Sequence, residues 1–149
     1  MEKLKMKQHP AWLAAGLLVF VVLACNFSAG TNSNSDSKGP ITKMTLAKDN
    51  GNGAPGDETN TFTPGDHTIH CLLTLKDPKE GIKVTFVWWA VDAGNSKNEK
   101  IKNLDYTTEA GVKVVHGNVS STRDWPRGKY KVEAQINGTT EKTVAFTVD

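Results

Sequence analysis

Lys129-Tyr-Lys-Val-Glu-Ala-Gln-Ile-Asn-Gly138, running on through Thr139-Thr-Glu-Lys-Thr-Val-Ala-Phe-Thr-Val148, is the stretch that decides the fold. Tyr130, Val132, Ala134 and Ile136 alternate with Lys129, Lys131, Glu133 and Gln135. Successive side chains on a strand point to opposite faces, so this period of two puts one apolar row against a core and one polar row toward water. Asn137-Gly138 follows, and both residue types accept the positive φ that a two-residue hairpin turn demands. Val144, Phe146 and Val148 then alternate as the returning strand.

The same period runs back through the chain from Ile41 onward. Ile69, Cys71, Leu73 and Leu75 share one strand face, Asp77-Pro-Lys-Glu-Gly81 turns the chain, and Ile82 to Val91 is a nearly continuous apolar run. Shorter strands are expected at Ile41–Leu46, Ile101–Tyr106 and Val112–Val119. No segment combines a 3.6-residue apolar period with caps, so no helix is expected. About seven strands in residues 41–149, spaced by Gly, Pro, Asp and Asn, have the size and rhythm of a single all-β immunoglobulin- or fibronectin-III-like sandwich.

Particular residues sharpen that resemblance. Cys71 lies where an immunoglobulin domain carries its strand B cysteine, and Trp88 or Trp89 where it carries its core tryptophan. Trp125-Pro-Arg-Gly-Lys-Tyr130 resembles the turn entering strand F, with Tyr130 as a tyrosine-corner residue. Val132 stands where the second cysteine of a disulfide-bonded member would be. Cys71 is therefore read as a buried apolar thiol, and Cys71, Trp88 and Tyr130 as structural core. The segment from Phe62 to Val148 is also similar to small immunoglobulin-like domains of bacterial lipoproteins, in which a Trp-Pro-x-Gly-x-Tyr-x-Val-Glu…Asn-Gly…Phe-Thr-Val ending recurs. That resemblance implies fold and location only.

The N-terminal part reads as address, anchor and tether. Lys3, Lys5 and Lys7 precede an uncharged, almost wholly apolar run from Ala11 to Ala24. This is the plan of a secretory signal peptide, and fourteen residues fall short of the ~20 that a membrane-spanning helix needs. Val22-Leu23-Ala24-Cys25 resembles the lipobox of bacterial lipoproteins. The resemblance implies cleavage before Cys25, diacylglycerol on its thiol and attachment to a membrane by acyl chains, with residues 1–24 as leader. Residues 25–40, rich in Ser, Asn and Gly, cannot bury enough surface to order themselves and are expected to form a flexible tether. Asn26 rather than Asp after the cysteine fits sorting to the outer membrane, or to the plasma membrane of a cell that has only one.

The net charge of +2 belongs to the leader. Its removal takes three lysines from eighteen basic residues and one glutamate from sixteen acidic ones, leaving fifteen of each. A neutral remainder gives no electrostatic footprint for nucleic acid or anionic lipid headgroups. No Gly-x-Ser-x-Gly, His-Glu-x-x-His or phosphate-loop pattern occurs, so no catalytic residues and no enzymatic activity are expected. Nor is a metal or other cofactor: His67 and His70 fall on opposite strand faces, Cys71 lacks the flanking ligands of a copper site, and His116 stands alone. The acidic, Gly-rich stretch Asp49–Glu58 lacks calcium-loop spacing and reads as a mobile loop.

The adjacent tryptophans carry the functional expectation. Phe86-Trp88-Ala90 and Val87-Trp89-Val91 are both apolar rows, yet they face opposite sides of a strand. One row is core; the other, taken as Trp89, Val87 and Val91, is either a binding face or is covered by the domain's own chain. Trp125 beside Pro126 reads as a plug at the sandwich end. The expected function is a lipid-anchored extracytoplasmic module with a non-catalytic binding or envelope-structural role, contacting an envelope or extracellular protein. The alternative is capture of a carbohydrate or peptide on an exposed tryptophan.

Overall fold

The computed structural model describes residues 39–149. The leader, Cys25 and all but the last two residues of the expected tether lie outside them. Every element among the described residues is a strand: β1 (Ile41–Asp49), β2 (Pro55–Glu58), β3 (Thr61–Phe62), β4 (Thr68–Leu75), β5 (Lys83–Ala93), β6 (Ser96–Thr107), β7 (Val114–Ser120), β8 (Gly128–Ile136) and β9 (Thr139–Val148). They form two sheets, one in the order β2-β1-β4-β7 and the other in the order β3-β9-β8-β5-β6. Apart from a short parallel pairing of β3 with β9, the pairings are antiparallel.

The expected strands are present, with β6 and β9 longer than their apolar patterns. Two further strands, β2 and β3, were not expected, and the first of them lies in a stretch read as loop. Pro55-Gly-Asp-Glu58 has poor strand propensity, but it sits at a sheet edge, where proline and charge are tolerated, and it pairs with Ala47 and Asp49 of β1. The turn before it is hydrogen-bonded rather than loose. Asp49 Oδ1 accepts from the amides of Gly51 (2.6 Å) and Gly53 (3.4 Å), both glycines at positive φ. This corrects the reading of Asp49–Glu58 as an ordinary mobile loop.

The core lies between the sheets. Leu46, Ile69, Cys71, Leu73 and Val115 project from the first; Val84, Phe86, Trp88, Tyr130, Val132 and Phe146 project from the second. The Phe146 ring stacks on Tyr130 at 5.2 Å and meets Phe62 and Trp88 edge-on, at 5.5 and 6.2 Å. Such pairs add about 0.5–1.5 kcal/mol each beyond the area they bury. The β8–β9 hairpin turns on Asn137 (φ 48°) and Gly138 (φ 87°), the positive pair that the Asn-Gly signal requires.

Candidate functional site

Three places bring polar or aromatic side chains together: the outer face of the five-stranded sheet, one end of the sandwich, and the outer face of the four-stranded sheet.

On the five-stranded sheet Trp88 points inward and is wholly buried. Trp89 points outward and is half-buried. In the register Trp89 faces Lys100 of β6 on one side and Lys131 of β8 on the other. Both ammoniums lie 5.3 Å from its ring centroid, within cation–π range. Lys131 also pairs with Glu133 at 2.6 Å. The ring is thus flanked by the domain's own lysines. Val87 is only 3% exposed, because Asn103 and Glu133 flank it and it is shorter than either, so it offers a partner almost nothing. Of the expected binding row, Val87 is closed off, while Trp89 and Val91 stay half-open.

At the sandwich end, Trp125 is buried and its indole N–H donates to the Asp66 carbonyl at 3.0 Å. Its ring meets Tyr130 edge-on at 6.1 Å, and the Tyr130 hydroxyl donates to the Pro126 carbonyl at 2.6 Å, which is the tyrosine-corner bond. Burial raises the Tyr130 pKa above the usual phenol value. Gly128 completes this turn. It has φ +145°, and a Cβ there would lie 2.2 Å from the Asp92 carbonyl oxygen. His67 turns outward to Asp124 (3.1 Å), and Lys48 pairs with Asp66 at 2.8 Å. Cys71 is fully buried, and burial pushes its thiol pKa far above the ordinary value, so it is unreactive.

The four-stranded sheet holds an arrangement that the sequence does not reveal. Along β4, Ile69, Cys71 and Leu73 face the core, so His70 projects from the outer face, yet it has no exposed surface. Its Nε2 lies 2.9 Å from Asp49 Oδ2, and its Nδ1 lies 2.8 Å from Nε2 of His116 on β7. A carboxylate only accepts, so His70 Nε2–H donates to Asp49. The second contact is an N–H···N bond between His70 Nδ1 and His116 Nε2, in which one ring donates and the other accepts. The hydrogen bond to His70, aided by the Gly51 and Gly53 amides, holds the Asp49 pKa below the usual carboxylate value. Partial burial, then the nearness of His70, lowers the His116 pKa. His116 therefore does not stand alone. The expectation fails because 46 residues separate the two histidines and only the β4–β7 register, with Leu72 opposite His116, makes them diagonal neighbours.

No family model matches the chain, and no curated protein matches it. Among solved structures it is similar to an immunoglobulin-like protein from Pseudomonas aeruginosa, with 8% identity and a TM-score of 0.51, over 72% of this chain and 92% of that one. At this identity the likeness concerns the fold alone. The two facing sheets, the tyrosine corner and this likeness together define an immunoglobulin-like β-sandwich.

Proposed function

We propose that the protein is a lipid-anchored extracytoplasmic immunoglobulin-like module that acts by non-catalytic contact with another protein of the envelope or its surroundings. The observation that carries this reading is Val22-Leu-Ala-Cys25 at the end of a basic, then apolar leader, ahead of a sandwich domain. Acyl chains on Cys25 would hold the domain at a membrane, because each buried CH₂ contributes ~0.8 kcal/mol and two or three chains together resist release. The membrane is the outer one, or the plasma membrane where there is only one.

The distribution of apolar surface supports protein over carbohydrate as the partner. Trp88 and Trp125 are buried, and Trp89 is flanked by lysines, so the described residues offer no flat tryptophan platform for a sugar. Among the described residues, the exposed large apolar side chains are Ile101 on β6 (38%) and Val114 on β7 (50%). β6 and β7 are the free edges of the two sheets on one flank of the sandwich.

Cys25→Ser tests the anchor. The variant should leave the membrane fraction and lose incorporation of labelled palmitate; unchanged membrane retention overturns the anchor. A photo-crosslinking residue at Ile101 or Val114 in intact cells tests the contact. A discrete protein adduct absent from a Thr143 control supports it, and equal labelling at all three positions refutes it.

A further inference from the structure

We propose that the edge of β7 and the overhanging inner face of β6 form a slot for one extended segment of a partner protein, in which aliphatic residues are flanked by acidic ones. The inference rests on the protein contact proposed above and names its mode, strand addition to the four-stranded sheet.

The two sheets end in four outer strands, and three of these are blocked against further pairing. β3 has two residues, and β2 has four, with Pro55, Asp57 and Glu58 among them. β6 carries Lys97, Glu99, Lys100, Lys102 and Asp105, and a bulge at Trp88/Trp89 breaks its register with β5. Short length, proline, charge and bulges are the means by which an edge resists another strand. β7 uses none of them. Val114-Val-His-Gly-Asn-Val-Ser120 is uncharged, and its register with β4 is unbroken over all seven residues. At its two ends Leu75 N–H donates to the Lys113 carbonyl and Ser121 N–H to the His67 carbonyl, which fixes the phase of the ladder. Odd-numbered residues therefore bond β4, and the N–H and C=O groups of Val114, His116, Asn118 and Ser120 point away from the sheet.

The second sheet overhangs that edge. Gly117 of β7 lies against the Phe86 ring of β5, and β6 is the next strand outward. Lys102, Leu104 and Tyr106 pair with Trp88, Phe86 and Val84 and share their inward face. The β5 row is wholly buried, yet Leu104 and Tyr106 are half-buried and Lys102 is exposed, because the four-stranded sheet stops at β7. A strand added beside β7 would satisfy its outward backbone groups and cover this row in one step.

Charge selects the occupant. β5 and β7 run toward the same end of the sandwich, where Ala93 pairs with Gly128 and Ser121 bonds His67. Lys102, opposite Trp88, thus lies beyond Gly117 in that direction, and Lys113 lies at the other end of the slot. Among the described residues neither lysine pairs with a carboxylate. Two aliphatic residues on the inward row of the added strand meet Leu104 and Tyr106, and an acidic residue on either side of them meets Lys102 and Lys113. A second copy of this chain fits less well. Two-fold pairing of β7 with itself would bring the overhanging β6 strands of the two copies into the same space.

The probe is the end-capped peptide Thr-Glu-Thr-Val-Thr-Val-Thr-Glu-Thr, which reads the same in both directions. It is titrated into the full chain in detergent micelles and followed by amide NMR. The expected result is saturable shifts of the Val114, His116, Asn118 and Ser120 amides. The peptide with glutamine for glutamate should bind about threefold more weakly, the size expected of two exposed ion pairs. Asn118→Pro removes an outward N–H, a change that an edge strand tolerates, and should weaken binding about tenfold. Should circular dichroism show that variant unfolded, Lys102→Glu with Lys113→Glu, both exposed side chains, decides instead. There the glutamate peptide should lose its advantage over the glutamine one, and an undiminished advantage counts against the slot. No saturable shift up to about 5 mM peptide, or equal binding by folded Asn118→Pro, overturns the proposal. In intact cells the photo-crosslinked adduct at Val114 should disappear in Asn118→Pro. An adduct that persists overturns strand addition and leaves the protein contact itself standing.

Discussion

Replacing Gly128 with alanine should be among the most damaging single-methyl additions the domain can receive. A Cβ at this position would lie 2.2 Å from the Asp92 carbonyl oxygen and 2.6 Å from the Ala93 Cα. Both are backbone atoms of β5, so no side-chain rotation relieves the contact. Gly128 also pairs with Ala93 on one side and Val148 on the other, so it cannot retreat without breaking one ladder. Its φ of +145° adds a backbone cost, since only glycine adopts that region freely. Backbone strain of about 1–3 kcal/mol and overpacking of about 1–3 kcal/mol, less up to about 1 kcal/mol gained because alanine restricts the unfolded chain, leave a net loss of about 1–6 kcal/mol, with a middle value of about 3 kcal/mol. At roughly 4–8 °C per kcal/mol, a loss of about 3 kcal/mol should lower the midpoint by about 12–24 °C.

Urea and thermal unfolding followed by circular dichroism would measure this loss. Two controls separate its causes. Gly65→Ala has open space around the new methyl and an ordinary φ, and should stay within about 0.5 kcal/mol of the parent. Gly51→Ala has open space but φ +89°, and should cost only about 1–2 kcal/mol. A Gly128→Ala protein within about 1 kcal/mol of the parent, or no worse than Gly51→Ala, would refute the close-approach argument.

Three other outcomes are expected. Gly117→Ala would push a methyl to 2.7 Å from the Phe86 ring and should cost about 1–3 kcal/mol in urea unfolding, part of it recovered by adding Phe86→Leu. Tyr130→Phe removes the bond to the Pro126 carbonyl and should lower stability by about 1 kcal/mol with an unchanged urea slope. For Asp66, burial opposes ionisation, but hydrogen bonds from Lys48 and from the Thr63 amide and hydroxyl outweigh it and hold the folded pKa below the unfolded one. Its contribution is therefore complete above the unfolded value of about 3.9 and is lost as pH falls through the folded value. Urea midpoints measured downward from about pH 5 should fall less steeply in Asp66→Asn.

How far the sequence could be read depended on the range of the interactions. The Tyr130–Ile136 alternation and the Asn137-Gly138 turn are local, and they led directly to the β8–β9 hairpin. Pro55–Glu58 and Thr61–Phe62 have no pattern of their own; they are strands only because β1 and β9 present unpaired edges to them. The Trp125–Tyr130 motif was visible, but the reason for its glycine lies in β5, a different part of the chain. The same distance hid the histidine pair. The sequence placed His70 opposite the Ile69-Cys71-Leu73 face and left His116 standing alone; nothing short of the strand register could show that they meet.

The short parallel pairing of Thr61 with Thr147 and Phe62 with Val148 has a consequence for assembly. β3 is made early, yet its neighbour is the last strand, so the second sheet is unfinished until almost the entire domain has been synthesised. A ribosome-bound chain halted after β8 would carry a buried-type aromatic, Phe62, with no Phe146 to receive it. Closing so long a loop delays the final step, and until then the open edge of β8 is a place for sticky, non-native association.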